Sequence, residues 1–255
     1  MILLRQSARA ARLLGVTLVW YVLLELGWLA CSLAPRAAQR RRRWRRLVKR
    51  RWCAAVCRAL AVRVEVVGEP PRQPSFLVSN HLSYLDVPVL GSLIDTVFVS
   101  KAEVADWPAI GHLATRGGTV FVDRARKRAL PQVNERIRTV LAQGDGVVVF
   151  PEGTSTGGDE LLPFRPSLLA PAADLGLEVR SATLSYAAGP GDPPARQSVC
   201  WWADAPFGPH VLGLLGLSRV RARVVFHPQT VREADRKQLA DRLWSCVRSG
   251  MPQGE

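Results

Sequence analysis

The stretch FLVSNHLSYLD, residues 76–86, begins with an apolar run and ends in polar residues. Comparable short runs, rich in β-branched and aromatic residues, recur beyond residue 60. They are VRVEVV (62–67), TVFVS (96–100), TVFV (119–122), GVVVF (146–150), VRSATL (179–184), SVCWW (198–202) and ARVVF (222–226). Because several of them are apolar throughout, we predict strands that are buried on both faces. With FLVS itself, the sequence predicts eight strands.

Helical periodicity occupies the spaces between these runs. Apolar residues recur at intervals of three or four at Leu130, Val133, Ile137, Val140 and Leu141, and again at Leu239, Leu243 and Val247. Strands that alternate with helices favour a parallel sheet covered by helices. The predicted fold class is α/β, with a mostly parallel central sheet flanked by helices.

Polar residues follow three of the predicted strands. Asn80 and His81 come after FLVS, Asp123 and Arg124 after TVFV, and Glu152 after GVVVF. Ligand sites in parallel sheets lie beyond the carboxyl ends of the strands, so we expect these side chains to share one crevice. The sequence has no GxGxxG after a strand and no Walker lysine loop, which argues against a nucleotide-binding core.

The five cysteines form no CxxC pair, and only four histidines accompany them. A chain of 255 residues is large enough to form a core without disulfide bonds. Cys53 and Cys57 stand one helical turn apart and are interpreted as small apolar helix residues rather than a ligand pair. We expect reduced thiols, no structural zinc and no bound cofactor.

Residues 13–33, LLGVTLVWYVLLELGWLACSL, are apolar apart from Glu25 and a few small polar residues. At about 1.5 Å per residue they are long enough to cross a hydrocarbon layer of about 30 Å. Because a charge near the middle of a span is costly, an interfacial hairpin formed with residues 44–60 is the alternative. We predict a membrane anchor in residues 1–60 and one α/β domain in residues 61–255.

The formal net charge of +14 is concentrated after this apolar segment, since residues 36–51 hold ten Lys or Arg and no acid. Anionic lipid is the favoured partner for such a run beside an apolar helix. A solvated face and a nucleic-acid patch are the alternatives, and without an RNA-binding or zinc-finger signature we expect no nucleic-acid partner. The positive-inside rule places the rest of the chain at the cytoplasmic face of the inner membrane.

His81 and Asp86 are candidates for a charge-stabilised base. A neutral imidazole takes a proton efficiently when a carboxylate fixes its tautomer and stabilises the resulting cation. Five residues on a regular helix place two side chains about 140° apart, so His81 must lie in the turn that enters the helix. Ser83 or Asn80 is expected to cap that helix, and Pro88 to lie in its first turns. The alternative is a surface histidine near an unrelated aspartate.

The sequence contains no GxSxG elbow and no serine or cysteine marked as an acyl-enzyme nucleophile. The simplest mechanism is therefore direct attack by a hydroxyl of a bound substrate. Glu152, which follows Pro151 at a strand end, has an alternative role as a helix cap.

Three blocks, NHLSYLD (80–86), GGTVFVDR (117–124) and FPEGT (150–154), occur in this order. Together they resemble the glycerolipid acyltransferase family, whose members acylate glycerol-3-phosphate and lysophospholipids. The resemblance covers roughly residues 60–230. It implies an αβ acyltransferase fold with an N-terminal pair of membrane-engaging helices.

Carried over residue by residue, the resemblance implies that His81 is the base on the acceptor hydroxyl and that Asp86 orients it. Arg124 would bind the anionic head group of the acceptor, a role suited to a guanidinium. The implied substrate-binding residues are Asn80, Ser83, Arg124, Glu152, Gly153 and Thr154. Backbone N–H groups near the His81 turn or in the 152–154 loop would hold the oxyanion.

Three further strings look like the lyso-ornithine lipid acyltransferase branch. They are SKAEVADWPAIG (100–111), FPEGTSTGGDELLPFRPSLL (150–169) and WWADAPFGPH (201–210). Where the family commonly has FPEGTRS, this chain has Ser155 in place of the arginine, which weakens the case for a glycerol-phosphate acceptor. His210 would be shared with that branch, and the alternative is a turn or core histidine.

The expected function is therefore membrane-associated transfer of a fatty acyl group to a lysolipid hydroxyl. The donor would be acyl-CoA or an acyl carrier protein (ACP) thioester, and the acceptor 1-acylglycerol-3-phosphate or lyso-ornithine lipid. Two alternatives remain: a non-catalytic lipid-binding membrane protein, and an acyl thioesterase in which water replaces the acceptor alcohol.

Overall fold

A computed structural model describes residues 2–33, 35–72, 74–107, 110–122 and 130–252. Its helices are α1 (Ile2–Ser32), α2 (Ala37–Ala59), α3 (Asp86–Leu93), α4 (Ile110–Arg116), α5 (Leu130–Ala142), α6 (Ala170–Asp174), α7 (Ala195–Ser198), α8 (Phe207–Gly216) and α9 (Arg236–Ser249). Its strands are β1 (Val62–Val67), β2 (Phe76–Ser79), β3 (Thr96–Lys101), β4 (Val120–Val122), β5 (Gly146–Val149), β6 (Val179–Ala188) and β7 (Val220–Phe226).

The seven strands form one sheet in the order β1-β7-β6-β2-β5-β3-β4. Every neighbouring pair is parallel except β6 and β7, which are antiparallel. The predicted α/β fold with a mostly parallel sheet is confirmed. Because β2, β5, β3 and β4 all run in one direction, their carboxyl ends lie along the same edge. β4 ends at Val122, and the predicted site residues Asp123 and Arg124 lie outside the described residues.

The predicted strand SVCWW is wrong. Residues 195–198 form the short helix α7, which starts after two prolines, and the chain then continues as a loop. Val199 and Cys200 remain helical in their hydrogen bonding, since both donate their N–H groups to the carbonyl of Ala195. Both side chains are buried. The apolar run therefore reflects packing of a loop against the core and not strand pairing.

Hydrophobic residues bury both faces of the sheet. On one face, Val56, Cys57 and Leu60 from the end of α2 join a cluster with α3, α8 and the strands β1 and β7. On the other, Leu239, Leu243 and Val247 of α9 pack with α5 and the central strands. Burial raises the pKa of the Cys57 thiol to about 12, as expected of a small apolar core residue. The second half of α2 therefore shares the core of the α/β domain.

The cationic half of α2 lies against the amino ends of the strands. Arg45 Nη2 lies 3.0 Å from the buried carboxylate of Asp145, which also pairs with Arg46, and Lys49 bonds the carbonyls of Thr96 and Gly117. The structure corrects the lipid interpretation for these three cations, because they attach α2 to the sheet. For the rest of the run it stays a prediction.

Helices α1 and α2 form a hairpin that rests on the domain. The Trp44 indole covers Gly27 so closely that a Cβ there would overlap its ring, and its Nε1 donates to the Leu23 carbonyl at 3.1 Å. In the opposite half of α1, the guanidinium of Arg9 donates to the carbonyl of Ser218 at 2.9 Å and to the carbonyls of Leu215, in the last turn of α8, and Leu217. The cation therefore lies at the negative end of α8.

Candidate active site

His81 lies in the connection between β2 and α3. The helix begins at Asp86, so His81 is free of helical geometry, and its Nδ1 lies 2.7 Å from Asp86 Oδ2. The imidazole is 26% exposed, whereas the carboxylate is completely buried. The placement required by the five-residue spacing is thus confirmed, and the catalytic role of the pair stays a prediction at this point.

Hydrogen-bond donors enclose the Asp86 carboxylate. Oδ2 accepts from His81 Nδ1, from the Leu82 N–H at 2.7 Å and from the Ser83 N–H at 3.1 Å. Oδ1 accepts from the Tyr186 hydroxyl at 2.8 Å. Because an ionised carboxylate only accepts, Nδ1 carries the imidazole proton and Nε2 keeps a lone pair. This is the tautomer that a general base needs.

The Tyr186 contact was not predicted from the sequence. Tyr186 lies in β6, where the strand continues past the end of β2. Burial, together with the charge of Asp86, raises the pKa of Tyr186 well above its ordinary value, so the hydroxyl stays protonated. A tyrosine near the end of a strand is a weak signal in itself, and its partner is a hundred residues away in the chain.

Asn80 and Ser83 do not cap α3, which corrects the prediction. The helix has no side-chain cap, and the Asp86 carboxylate turns back to the N–H groups of Leu82 and Ser83. Asn80 is 1% exposed, and its amide both donates to and accepts from the backbone of Leu184. Its side chain thus joins β2 to β6, and its predicted contact with substrate stays a prediction.

Ser83 is fully buried, and its hydroxyl has no hydrogen-bond partner among the described residues. Its predicted contact with substrate stays a prediction. Pro88 is the third residue of α3, as predicted, where a missing N–H costs no helical hydrogen bond.

Glu152 supports the His81 turn from the end of β5. Its carboxylate accepts from the His81 N–H at 2.7 Å and from the Leu162 N–H at 3.0 Å, and the side chain is 2% exposed. Burial raises the pKa of Glu152 to about 7, although the two N–H donors act in the opposite direction. The expectation that the ends of β2 and β5 deliver polar groups to one place is confirmed by this contact. The alternative role as a helix cap is wrong, because residues 151–154 form turns and no helix begins before Pro166.

The residues around Glu152 shape the floor of the site. The Phe150 ring stacks on the His81 imidazole with 4.4 Å between centroids. Gly153 is buried with a φ of 82°, and an added Cβ would come within 2.7 Å of Arg165 Nε, so this turn requires glycine. Thr154 is exposed. Both Gly153 and Thr154 belong to the loop that follows Phe150, the residue that stacks on the imidazole. Their predicted acceptor-binding roles stay predictions.

His210 lies in α8 with both ring nitrogens occupied. Its Nε2 lies 3.0 Å from the Cys200 carbonyl, and its Nδ1 lies 3.0 Å from the Tyr84 hydroxyl. Burial lowers the pKa of His210. These contacts support the interpretation of His210 as a structural histidine, one that ties α8 to the loop containing His81.

Two of the segments that resemble the lyso-ornithine lipid acyltransferase branch, residues 100–111 and 201–210, meet next to the contact between His210 and Tyr84. Trp107 packs on Trp201 and Phe207, with ring centroids 6.1 and 5.1 Å apart, and Phe207 packs in turn on Tyr84 at 5.3 Å. This aromatic cluster therefore borders the His81 loop.

Among the described residues, no group of three or more His, Cys, Asp or Glu side chains is arranged to hold a metal ion. The prediction that the chain needs no cofactor stays a prediction. The arrangement itself provides a proton acceptor, the Nε2 of a partly exposed imidazole, at the ligand-binding edge of the sheet.

Comparison with known proteins gives the family of this site. A profile described as Acyltransferase matches residues 62–185, which include both the His81 turn and Glu152. The lyso-ornithine lipid O-acyltransferase of Pseudomonas aeruginosa is 36% identical over 255 aligned residues, covering 96% of this chain and 93% of that protein. The 1-acyl-sn-glycerol-3-phosphate acyltransferase of Neisseria meningitidis is 29% identical over 198 residues, covering 76% of each.

The fold is also shared with a solved structure. The 1-acyl-sn-glycerophosphate acyltransferase PlsC of Thermotoga maritima matches with a TM-score of 0.61 and 18% identity, covering 97% of this chain and 99% of that one. At that identity the match supports the fold alone, but the Pseudomonas relative is similar over nearly the full length of both proteins. This chain therefore belongs to the acyltransferase family and is an acyltransferase.

Proposed function

We propose that this enzyme transfers a fatty acyl group from an acyl thioester to a hydroxyl of a lysolipid at a membrane surface. The observation that carries the proposal is the pairing of His81 Nδ1 with the buried Asp86 carboxylate, which leaves Nε2 of the partly exposed imidazole as the acceptor for a hydroxyl proton. The names of the relatives support a lysolipid as the acceptor.

In the proposed reaction the acceptor hydroxyl gives its proton to His81 Nε2 while its oxygen attacks the thioester carbonyl. The resulting imidazolium is stabilised by Asp86. When the tetrahedral intermediate collapses, the C–S bond breaks and the thiolate takes the proton from Nε2. The products are an ester and a free thiol, and the base returns to its starting state.

The hydrogen bonds of the site narrow the choice of oxyanion donor. The N–H groups of His81, Leu82 and Ser83 bond carboxylates, and that of Gly153 bonds the Phe150 carbonyl. Within the 152–154 loop, the N–H groups of Glu152 and Thr154 have no such partner among the described residues. We assign the oxyanion to this loop, with one of these two N–H groups as the donor.

We favour lyso-ornithine lipid as the acceptor. The four relatives with that name are 33–39% identical, against 28–29% for the bacterial 1-acylglycerol-3-phosphate acyltransferases. Ser155 replaces the arginine common in the third block, and its hydroxyl donates to the Trp201 carbonyl, so it is not available to bind a phosphate. Lysophosphatidate is the second candidate, with Arg124 as its head-group ligand.

The thioester donor is acyl-CoA or acyl-ACP, since both present the same reacting carbonyl. Assaying the purified enzyme with each donor at equal concentration distinguishes them. The same assay tests the thioesterase alternative, because free fatty acid released without lysolipid would identify water as the acceptor.

We propose further that the α1–α2 hairpin lies in one leaflet at the cytoplasmic face of the inner membrane. α1 is long and apolar enough to cross a bilayer, and one of its faces exposes Leu14, Leu18, Val22, Leu26 and Leu29. Residues at the edge of this face attach α1 to the domain: Glu25 accepts from Arg116 at 2.9 Å, and the Tyr21 hydroxyl lies 3.1 Å from the His112 ring. These contacts support an interfacial helix over a spanning one, because α1 cannot cross the bilayer while bonded to α4.

Lipid analysis of a host without lysolipid acylation of its own tests the acceptor. Expression of this chain should restore ornithine lipid when the host makes its lyso form, and His81→Ala should lower the rate by about two to six orders of magnitude while the protein stays on the membrane. His112→Ala, on α4, is the matched histidine control. Restoration of phosphatidate alone would replace the favoured acceptor, and full activity of His81→Ala would remove the proposed base.

The orientation of α1 is tested separately, by cysteines introduced one at a time at Leu3 and Leu33 in a Cys31→Ser, Cys246→Ser background, where the three remaining cysteines are buried. An interfacial hairpin predicts that an impermeant thiol reagent labels both from the same side of sealed vesicles. Labelling from opposite sides would establish a spanning helix.

A further inference from the structure

The two oxygens of the Asp86 carboxylate are held very differently. Oδ2 accepts three hydrogen bonds, from His81 Nδ1 and from two backbone N–H groups. Oδ1 accepts from Tyr186 and from no other described residue. The side chain of Asp86 is completely buried, so removing that donor would leave a charged oxygen without a partner.

The backbone around Tyr186 is fixed on both sides. In β6, Tyr186 pairs with Ala222 of the antiparallel neighbour β7. On the β2 side, the strand has already ended, and the Asn80 side chain takes its place by bonding both the N–H and the carbonyl of Leu184. Asn80 therefore extends the sheet by one more pairing and holds the segment that carries Tyr186. This accounts for the buried amide at the start of the NHLSYLD block.

We propose that Tyr186 is a positioning residue for the catalytic pair: its hydroxyl fixes the rotation of the Asp86 carboxylate and spreads its charge, which keeps the His81 imidazole oriented and limits how strongly Asp86 stabilises an imidazolium. Orientation follows because a carboxylate held at both oxygens cannot turn about its Cβ–Cγ bond. The effect on charge follows because a hydrogen bond to the ionised form reduces the stabilisation that Asp86 gives to an imidazolium. The proposal rests on the proposed function only for its kinetic consequence.

Other titratable groups lie near His81 and Asp86, and their effect on the His81 titration must be separated from the effect of Tyr186. Cys57 of α2 and Cys200 after α7 act on Tyr186 or Asp86, but burial raises the pKa of each thiol to about 12, so both stay neutral in the working range. Glu152 is different, because burial raises its pKa to about 7 and its carboxylate bonds the His81 N–H. Measurements on Tyr186 variants are therefore repeated in a Glu152→Gln background.

The test uses the full chain in detergent and follows the histidine rings by NMR as pH is varied, with the His81 signal assigned by its loss in His81→Ala. In Tyr186→Phe the midpoint of the His81 titration should move upward by roughly 0.3 to 1 pH unit. With a ring-fluorinated tyrosine at position 186, whose hydroxyl is a stronger donor, it should move downward. Damage to packing would not move the midpoint in opposite directions in the two proteins. If Tyr186→Phe folds poorly, the fluorinated protein still gives the test, because it keeps every atom of the native contact.

The kinetic consequence is a loss of kcat/KM of about 5- to 30-fold in Tyr186→Phe, with acceptor KM unchanged within about twofold and with the acid limb of the pH profile moved to higher pH. Thr183→Val is the matched control, since it removes a buried hydroxyl from the same strand whose partners are His227 and the Val247 carbonyl. It should lower stability without moving the acid limb.

The outcomes separate this inference from the proposed function. A titration midpoint that is the same in wild type, Tyr186→Phe and the fluorinated protein would overturn the role of Tyr186, whatever the activity. Shifted midpoints in a protein that transfers no acyl group to any lysolipid would support the role of Tyr186 and refute the proposed reaction.

Discussion

Replacing Glu152 with glutamine measures how the His81 turn is held. Burial raises the pKa of Glu152 from 4.5 to about 7, so the folded protein binds this proton more tightly than the unfolded chain does. The stabilisation is therefore fully present below about pH 4.5 and is lost as pH rises through 7. A shift of about 2.5 units corresponds to about 3 kcal/mol of unfolding free energy.

Glu152→Gln removes this pH dependence of the unfolding free energy and adds a destabilisation that is the same at every pH. Glutamine keeps one acceptor oxygen, so one of the two N–H groups now bonded, that of His81 or that of Leu162, is left facing an amide donor. A buried donor without a partner costs about 1 to 3 kcal/mol at every pH. We expect the variant to be less stable than wild type at pH 5, and the difference to shrink by up to about 3 kcal/mol at pH 8.

Urea unfolding of the detergent-solubilised chain, followed by tryptophan fluorescence between pH 5 and pH 8, gives both stabilities. Thr154→Ala is the control, because it alters an exposed, non-titrating neighbour in the same loop and should give a difference from wild type that does not change with pH. Curves for wild type and Glu152→Gln that stay parallel over this range would refute the assignment of a proton to Glu152.

Three further predictions concern the packing that supports the site. Gly153→Ala should lower the unfolding free energy by about 1 to 3 kcal/mol, because φ is 82° and the new Cβ would meet Arg165; equal urea midpoints for variant and wild type would contradict this. Gly27→Ala should separate α1 from α2, since the added Cβ overlaps the Trp44 ring, and protease cleavage between residues 33 and 37 should become faster; unchanged cleavage would argue that the hairpin does not depend on this contact. Asp145→Ala should destabilise the fold by about 3 kcal/mol, because it leaves Arg45 and Arg46 without their buried partner. The loss should lower the thermal midpoint, and a midpoint equal to that of wild type would show that these ion pairs are dispensable.

The fold was largely predictable from the sequence because strands that are buried on both faces consist of short, continuous apolar runs. Phe76–Ser79 and Gly146–Val149 are such runs, and both pair where a parallel sheet requires. The same rule failed at residues 198–202, where a loop packs as tightly as a strand and carries the same apolar pattern. The antiparallel pairing of β6 with β7 was not predicted, since apolar content does not encode strand direction.

Within the site, the pairing of His81 with Asp86 was predictable, since five residues leave room for one turn between a strand and a helix. The roles of Asn80 and of the cations in α2 were not. An amide or a guanidinium beside a motif looks the same in sequence whether it faces a ligand or a backbone carbonyl. The difference depends on strands and loops a hundred residues away, such as Leu184 for Asn80 and Asp145 for Arg45.

The anchoring of the NHLSYLD block explains why its polar residues are spaced as they are. Asn80 bonds β6, the His81 N–H bonds the Glu152 carboxylate after β5, and Asp86 bonds Tyr186. The backbone of His81 is thus attached to both strands that flank β2, while its imidazole rests on Phe150. An imidazole held in this way is already oriented before substrate arrives, so part of the entropic cost of reaching the reactive geometry is met during folding. Loosening either anchor should therefore lower kcat more than it raises the acceptor KM, because the loss falls on the orientation of the base and not on contacts with the lipid.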